Sequence, residues 1–309
     1  MRCIVVGLGI QGRKRKHYAG TDFVACVDPL HSDADYSDLF EITLDRYDTA
    51  LVCTPDEPKV GILKYLLANK KNVMVEKPLF AAKDEELLDL QQLAQANEVM
   101  CYTAYNHRFE PHFVAMRELI QSGRLGKIYR CRMFYGNGTA RLVRESAWRD
   151  SGAGVLPDLG SHLLDTVAFW FGISKGNITL VSADKFENNA PDHVVLSIAN
   201  TSPTIELEMT LLMWRNHFTC DILAEKGTAH IESLCKWGPS TLRIRERVLP
   251  SGRPIEVCNT LIQQDPTWAI EYAHFKHICA NKQKTDLSSD IWLNSTLREL
   301  SYQVTMNRK

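Results

Sequence analysis

The stretch Arg2-Cys3-Ile4-Val5-Val6-Gly7-Leu8-Gly9-Ile10-Gln11-Gly12 opens the chain and decides its fold. Arg2 to Val6 is a short apolar run that reads as a buried strand, and Arg13 to Ala19 has the texture of a helix, so the three glycines fall where strand turns into helix. Phe23 to Val27 is a second buried-strand run, ending in Asp28-Pro29. Thr49 to Cys53 is a third, ending in Thr54-Pro55. A helix at Val60 to Ala68, a strand at Asn72 to Val75, a helix at Lys83 to Asn97 and a strand at Val99 to Thr103 continue the alternation. Alternating strands and helices at this spacing imply an α/β domain built on a doubly wound parallel sheet, the Rossmann arrangement.

The texture changes after about residue 105. Pro111 to Ser122 carries Phe113, Met116, Leu119 and Ile120 at helical spacing, and Gly123 to Gly126 closes it. A strand at Lys127 to Tyr135 follows. Ile178 to Phe186, His193 to Ala199, Thr204 to Trp214, Phe218 to Ala224 and Thr228 to Ser233 are also strand-like, separated by turn residues. Pro266 to Ala280 and Ser289 to Met306 read as helices. The expectation is an N-terminal domain over 1–104 and an α+β domain over 105–309. The second domain has a large, mainly antiparallel open sheet, and the last helix is free to pack back on the first domain.

Composition narrows the partners. The chain has 309 residues, with 36 Lys plus Arg against 37 Asp plus Glu and a formal net charge of -1. There is thus no whole-chain basic field for nucleic acid or an anionic membrane. Cys3-Ile4-Val5-Val6 gives way to a glycine-rich, basic segment, so no signal-peptide core develops, and no apolar run approaches the roughly 20 residues needed to span a bilayer. The expectation is a cytoplasmic protein with small-molecule partners. Its nine cysteines are odd in number and scattered, which suggests neither a disulfide framework nor a zinc knuckle.

The glycine pattern gains force from its setting between strand and helix, with Asp28 at the end of the next strand. Gly7 permits the tight turn, Gly9 lets backbone amides approach a pyrophosphate, and Gly12 allows close helix packing, with Ile10 and Gln11 opening the helix toward the anion. Asp28 would bond the adenosine ribose hydroxyls and repel a 2'-phosphate, which favours NAD over NADP. Arg13-Lys14-Arg15-Lys16 is the opposing hint, since these cations could pair with such a phosphate; as a solvated helix face they would only add attraction for the pyrophosphate.

Glu76-Lys77-Pro78 follows a buried strand, so Lys77 lies at a strand's carboxyl end, where open α/β sheets bind ligands. Together with Gly7 to Gly12, Thr54-Pro55, Arg108 and Asp158-Leu159-Gly160-Ser161-His162-Leu163-Leu164-Asp165, it resembles the Gfo/Idh/MocA family, named for glucose-fructose oxidoreductase and inositol dehydrogenase. The resemblance covers essentially the whole chain. It implies a sugar dehydrogenase or reductase in which Lys77 contacts the reacting hydroxyl or carbonyl, His162 exchanges the proton and Asp158 shares the polar substrate site. Thr54, Pro55, Glu76 and Lys77 join the candidate cofactor contacts. The Lys77-Pro78 bond is typically cis in this family. Physical chemistry agrees: an imidazole can take a hydroxyl proton near neutral pH, and an ammonium stabilises a developing alkoxide. Asp158 and His162, four apart, would share one face of a helix. The family's Thr-Pro-Asn-x-x-His is replaced here by Thr54-Pro55-Asp56-Glu57-Pro58-Lys59.

Candidate substrate residues are Arg108, in Tyr105-Asn106-His107-Arg108-Phe109, then Tyr135, Asn137, Arg141, Trp148 and Arg149, with Asp158 and His162. Two or three arginines here could meet a diphosphate, so a nucleotide-linked sugar leads over a free sugar or inositol. An NAD-dependent glycosidase and a non-catalytic dinucleotide-binding regulator are the readings from other classes. His274, His277 and Glu271 lie on one segment but read as helix surface, not a metal site. A homo-oligomer, dimer or tetramer, is implied by the resemblance alone.

Overall fold

The computed structural model describes residues 1–147, 149–174 and 176–306. The chain divides into two compact units: Met1–Asn106 with Trp268–Ser295, and His107–Thr267 with the chain from Thr296 onward. The first unit thus ends at Asn106 and takes in the late segment Trp268–Ser295.

In the first unit, β1 (Cys3–Val6), α1 (Ile10–Ala19), β2 (Phe23–Val27), β3 (Thr49–Val52), α2 (Asp56–Ala68), β4 (Asn72–Glu76), α3 (Asp84–Ala96) and β5 (Cys101–Ala104) follow one another. The five strands form one parallel sheet in the order β2-β1-β3-β4-β5. Its strands are short unbroken apolar runs because both faces are covered. Cys3 and Val5 point into one core with Leu51 and Met74. Ile4 and Val6 point into the other with Val52, Leu63, Leu66, Leu87 and Leu90. The helix α2 starts four residues earlier than its apolar periodicity suggests. Pro58 is tolerated in its first turn, where an amide has no helical partner anyway, and Asp56 and Glu57 sit favourably at its positive end.

In the second unit, α4 (Pro111–Gln121), β6 (Ile128–Gly136), α5 (Ala140–Arg144), α6 (Ser161–Phe171), β7 (Asn177–Asp184), β8 (His193–Ala199), β9 (Thr204–Thr210), β10 (His217–Ala224), β11 (Gly227–Glu232), β12 (Ser240–Glu246) and β13 (Glu256–Leu261) follow. The eight strands form one sheet, β13-β12-β11-β10-β6-β9-β8-β7, antiparallel except where β6 runs beside β9. Alternation along β6 puts Cys131, Met133 and Tyr135 in the core; Tyr135 is flanked in register by Phe218 and Met209. Arg130 and Arg132 face outward and pair with Glu206 and Glu208 of β9. The strands β12 and β13 are not marked by the sequence reading, since β13 is exposed at nearly every position and offers no apolar rhythm.

The chain closes with α7 (Thr267–Ala280) and α8 (Ser288–Met306). Tyr272, Phe275 and Ile278 of α7 complete the core beneath α1, while Leu287 and Ile291 pack on the opposite core. Among the described residues no helix is long and apolar enough to cross a membrane, and no cluster of His, Cys, Asp or Glu could hold a metal ion.

Candidate functional site

The turn between β1 and α1 is shaped by its glycines. Gly7 adopts φ +94°, and a Cβ there would lie 2.7 Å from the Cys53 carbonyl oxygen. A Cβ on Gly12 would stand 1.8 Å from the Gly7 carbonyl oxygen, so this helix can pack against the strand only with glycine there. The corresponding space at Gly9 is empty to 4 Å, and α1 begins there with no side-chain cap and no acidic residue in its first turn. Beside it, just after β3, the Thr54 hydroxyl is shielded from solvent without a hydrogen-bond partner among the described residues. An open helix N-terminus and an orphaned hydroxyl fit the pyrophosphate of a dinucleotide.

Asp28 has a second task besides the expected ribose contact. One carboxylate oxygen accepts from the Leu8 amide at 2.6 Å; the other accepts from Leu30 at 2.8 Å and His31 at 3.1 Å. Burial pushes this carboxyl up, but the Leu8 and Leu30 amides and the His31 ring outweigh it and hold it at about 2. The carboxylate therefore fixes the glycine turn and stays ionised. A depressed carboxyl stabilises the fold fully above its unfolded value and progressively less as pH falls through the folded one. Acid titration from about pH 5 to pH 2 should remove about 2 kcal/mol that Asp28→Asn lacks throughout, read as converging denaturant midpoints of the two proteins.

The basic run is not a uniformly solvated face. Arg13 pairs with Asp33 at 2.7 Å, Lys14 lies 5.0 Å over the Trp268 ring, and Lys16 lies 4.6 Å over Phe23. Arg15 is 2 % exposed; it donates to Glu76 at 2.6 Å and Glu271 at 2.7 Å and stacks on Trp268. Burial disfavours its charge, yet Glu271 and Glu76 prevail and raise its pKa above the usual arginine value. Glu271, expected on the surface of its helix, is fully buried as this partner. With Arg13 and Arg15 taken up by carboxylates, the positive case for a 2'-phosphate is weakened.

Lys77 follows β4 directly, half-buried, and Lys77-Pro78 is cis. Here Lys59 emerges as a residue that sequence reasoning missed. It is 2 % exposed, and its ammonium donates to Asp56 at 2.6 Å and to the carbonyls of Glu76 at 3.4 Å and Pro78 at 3.0 Å, bracketing Lys77. The signal lay in the departure itself: Asp56 and Lys59 replace the expected Asn and His together, as an ion pair one helical turn apart.

In the second unit His162 lies on α6, 8 % exposed. Its ring is stacked on His107 with centroids 4.0 Å apart and planes at 19°, and Tyr135 meets it edge-on at 6.1 Å. Burial pushes the Tyr135 phenol well up, so it stays neutral. Asp158 belongs to a π-helical turn, Leu156–Gly160, that precedes α6. That wider turn breaks the simple four-residue repeat: Asp158 is 41 % exposed and lies 3.5 Å from Arg149, whereas His162 faces the ring cluster. Single π turns recur at functional sites.

The remaining candidates fall in different settings. Arg108 is held by both oxygens of Asp165, a carboxylate 1 % exposed whose pKa burial raises against the arginine's pull. Asn137 turns the chain after β6: its side-chain oxygen accepts from the Thr139 hydroxyl at 2.7 Å, and its carbonyl from the Met213 amide. Arg141 is exposed on α5, and Ile10 is exposed at the start of α1. Trp148 lies outside the described residues.

Comparison with known proteins accords with this geometry. Residues 1–105 match the model of the oxidoreductase family with an NAD-binding Rossmann fold, and residues 113–230 match the GFO/IDH/MocA C-terminal domain. An uncharacterized oxidoreductase of Schizosaccharomyces pombe is 28 % identical over 59 % of this chain and 55 % of its own length. The scyllo-inositol 2-dehydrogenase (NADP(+)) of Bacillus subtilis is 27 % identical over 52 % of this chain and 45 % of its own. The match thus spans about half the length of these relatives. The solved structure of UDP-N-acetylglucosamine 3-dehydrogenase from Acidithiobacillus ferrooxidans superposes with a TM-score of 0.79 at 17 % identity, covering 97 % of this chain and 96 % of that one. The chain belongs to the Gfo/Idh/MocA oxidoreductase family, and its first unit is an NAD-binding Rossmann fold.

Proposed function

We propose that this protein is an NAD-dependent oxidoreductase of a CH–OH group on a sugar, with a nucleotide-linked sugar as the leading substrate class. The observation that carries the reading is the open N-terminus of α1 at Gly9 in the same sheet whose β4 ends directly in Lys77. NAD, when bound, supplies the nicotinamide that exchanges a hydride with the carbinol carbon. Gly9, Ile10 and Gln11 present backbone amides to the pyrophosphate, the Thr54 hydroxyl donates beside them, and the Asp28 carboxylate disfavours a 2'-phosphate.

Lys77 stabilises negative charge on the reacting oxygen, which is larger in the transition state than in alcohol or carbonyl. His162 takes the hydroxyl proton in oxidation and returns it in reduction. Asp158, with Arg149 beside it, accepts from substrate hydroxyls. The diphosphate is assigned to Arg141, Arg144 and Arg149; the first two are exposed on α5, which suits an anion arriving from solvent. The structural likeness to a nucleotide-sugar dehydrogenase supports this choice, and the inositol dehydrogenase relative supports the wider polyol class.

The test is a scan of UDP- and dTDP-linked sugars, free sugars and inositols for NAD reduction at 340 nm. Turnover with a nucleotide sugar that is lost in the Arg141→Ala/Arg144→Ala double variant is the expected result. Turnover confined to free sugars or inositols would overturn the nucleotide assignment, and tight NAD binding without turnover on any of them would point to a regulator.

A further inference from the structure

We infer that Lys236, acting through His107, is a positioning residue that holds His162 in its neutral, proton-accepting form. The inference deepens the reading of His162 as the base and rests on that reading for its catalytic meaning. The Lys236 ammonium lies 2.9 Å from His107 Nε2. An ammonium can only donate, so Nε2 must accept, and His107 is the neutral tautomer with its proton on Nδ1. His107 is 2 % exposed and lies flat against His162 at 4.0 Å, so the two imidazoles and the ammonium form a short column. A proton added to His162 would place a second positive charge in that column, close to Lys236 and largely shielded from water.

Other polar and charged groups stand around the column. Tyr135, from β6, is neutral. Arg108 and Asp165 neutralise each other as a bidentate pair. Asp158, on the same segment as His162, pairs with Arg149 at 3.5 Å and its charge also reaches Tyr135. Glu110 is a carboxylate that acts on Lys236, and Asp265 acts on Glu110 in turn. Glu110 is 1 % exposed, accepts from the Cys235 amide at 2.6 Å, and burial raises its pKa, which blunts its charge. Lys236 also packs over the Trp237 ring at 4.7 Å, and that ring lies 5.5 Å from Tyr135, which fixes the ammonium's place. Nothing in the motif containing His162 signals Lys236, 74 residues further on, because the two are brought to His107 only when β6 and β10 are paired and the turn after β11 folds back.

The test reads protonation directly on the full chain. The Cε1–H resonance of His162 is followed by NMR from pH 5 to 9, assigned by its absence in His162→Gln, in wild type, Lys236→Met, Lys236→Gln and Lys236→Arg. Removing the charge in Lys236→Met and Lys236→Gln is expected to raise the His162 midpoint by about half to one pH unit, the size expected for a partly shielded charge a few ångströms away. Lys236→Arg, which keeps the charge, should stay near wild type. The acid limb of kcat/KM should move with the resonance. Midpoints unmoved in both neutral variants, or raised equally in Lys236→Arg, would overturn the inference. The resonance is read without substrate, so absence of turnover would count against the sugar oxidoreductase reading and leave this result standing. Lys236→Gln, which retains a hydrogen-bond donor toward His107, serves where Lys236→Met melts early.

Discussion

Lys77→Ala is expected to lower kcat by about 10²–10⁴-fold with the protein still folded, and His162→Ala by a similar factor. In the proposed mechanism the ammonium would meet a charge that is largest in the transition state, and the imidazole would move a proton only as the reaction proceeds, so kcat should fall more than KM rises. The two variants should differ in their pH profiles. His162→Ala loses the acid limb, whereas Lys77→Ala retains it at a lower plateau. Steady-state kinetics from pH 5 to 9 checks both, with thermal melting to show that each variant is folded. A Lys77→Ala enzyme at wild-type kcat would remove Lys77 from the chemistry.

The largest effect on stability is expected at Arg15. Its guanidinium is nearly fully buried between Glu76 and Glu271, and Glu271 has no exposed surface at all. Arg15→Met leaves a carboxylate buried against a thioether, and breaking a buried pair in this way costs about 3–5 kcal/mol. Melting should fall by about 10 °C in calorimetry, given the size of the unit. Arg15→Met/Glu271→Leu should recover much of the loss, because the charge left behind is removed with its partner. Failure of the double variant to recover would show that Arg15 stabilises by its stacking on Trp268 and Tyr18's neighbourhood instead of by charge. The network also reaches the proposed site: Glu76 immediately precedes Lys77, so Arg15 links α1 to the strand end that carries the lysine.

The parallel sheet was legible because its strands are buried on both faces and therefore appear as unbroken apolar runs separated by helical stretches. The glycine turn was legible because a Cβ at Gly7 or Gly12 collides with backbone, a constraint that leaves its mark on composition. The second sheet was legible in β8 to β11, where alternation is regular, and illegible in β13, whose exposed residues carry no pattern. The π-helical turn at Leu156–Gly160 escaped because apolar spacing does not distinguish it from the helix it enters. The charged residues inside the fold were hardest. Arg15 stands in a row of four cations, and its burial depends on Glu76 and Glu271, 61 and 256 residues away. Lys59 and Lys236 are likewise defined by partners that only the folded chain supplies.

The most direct measurement is titration of the purified protein with NADH and with NADPH, followed by the fluorescence of the bound nicotinamide, in wild type and Gly12→Ala. Saturable NADH binding, weaker for NADPH by about tenfold or more because of the Asp28 carboxylate and lost in Gly12→Ala, is the expected result. Absence of binding by either dinucleotide, or binding unchanged when Gly12 becomes alanine, would contradict the assignment of the cofactor to the β1–α1 turn and with it the oxidoreductase reading.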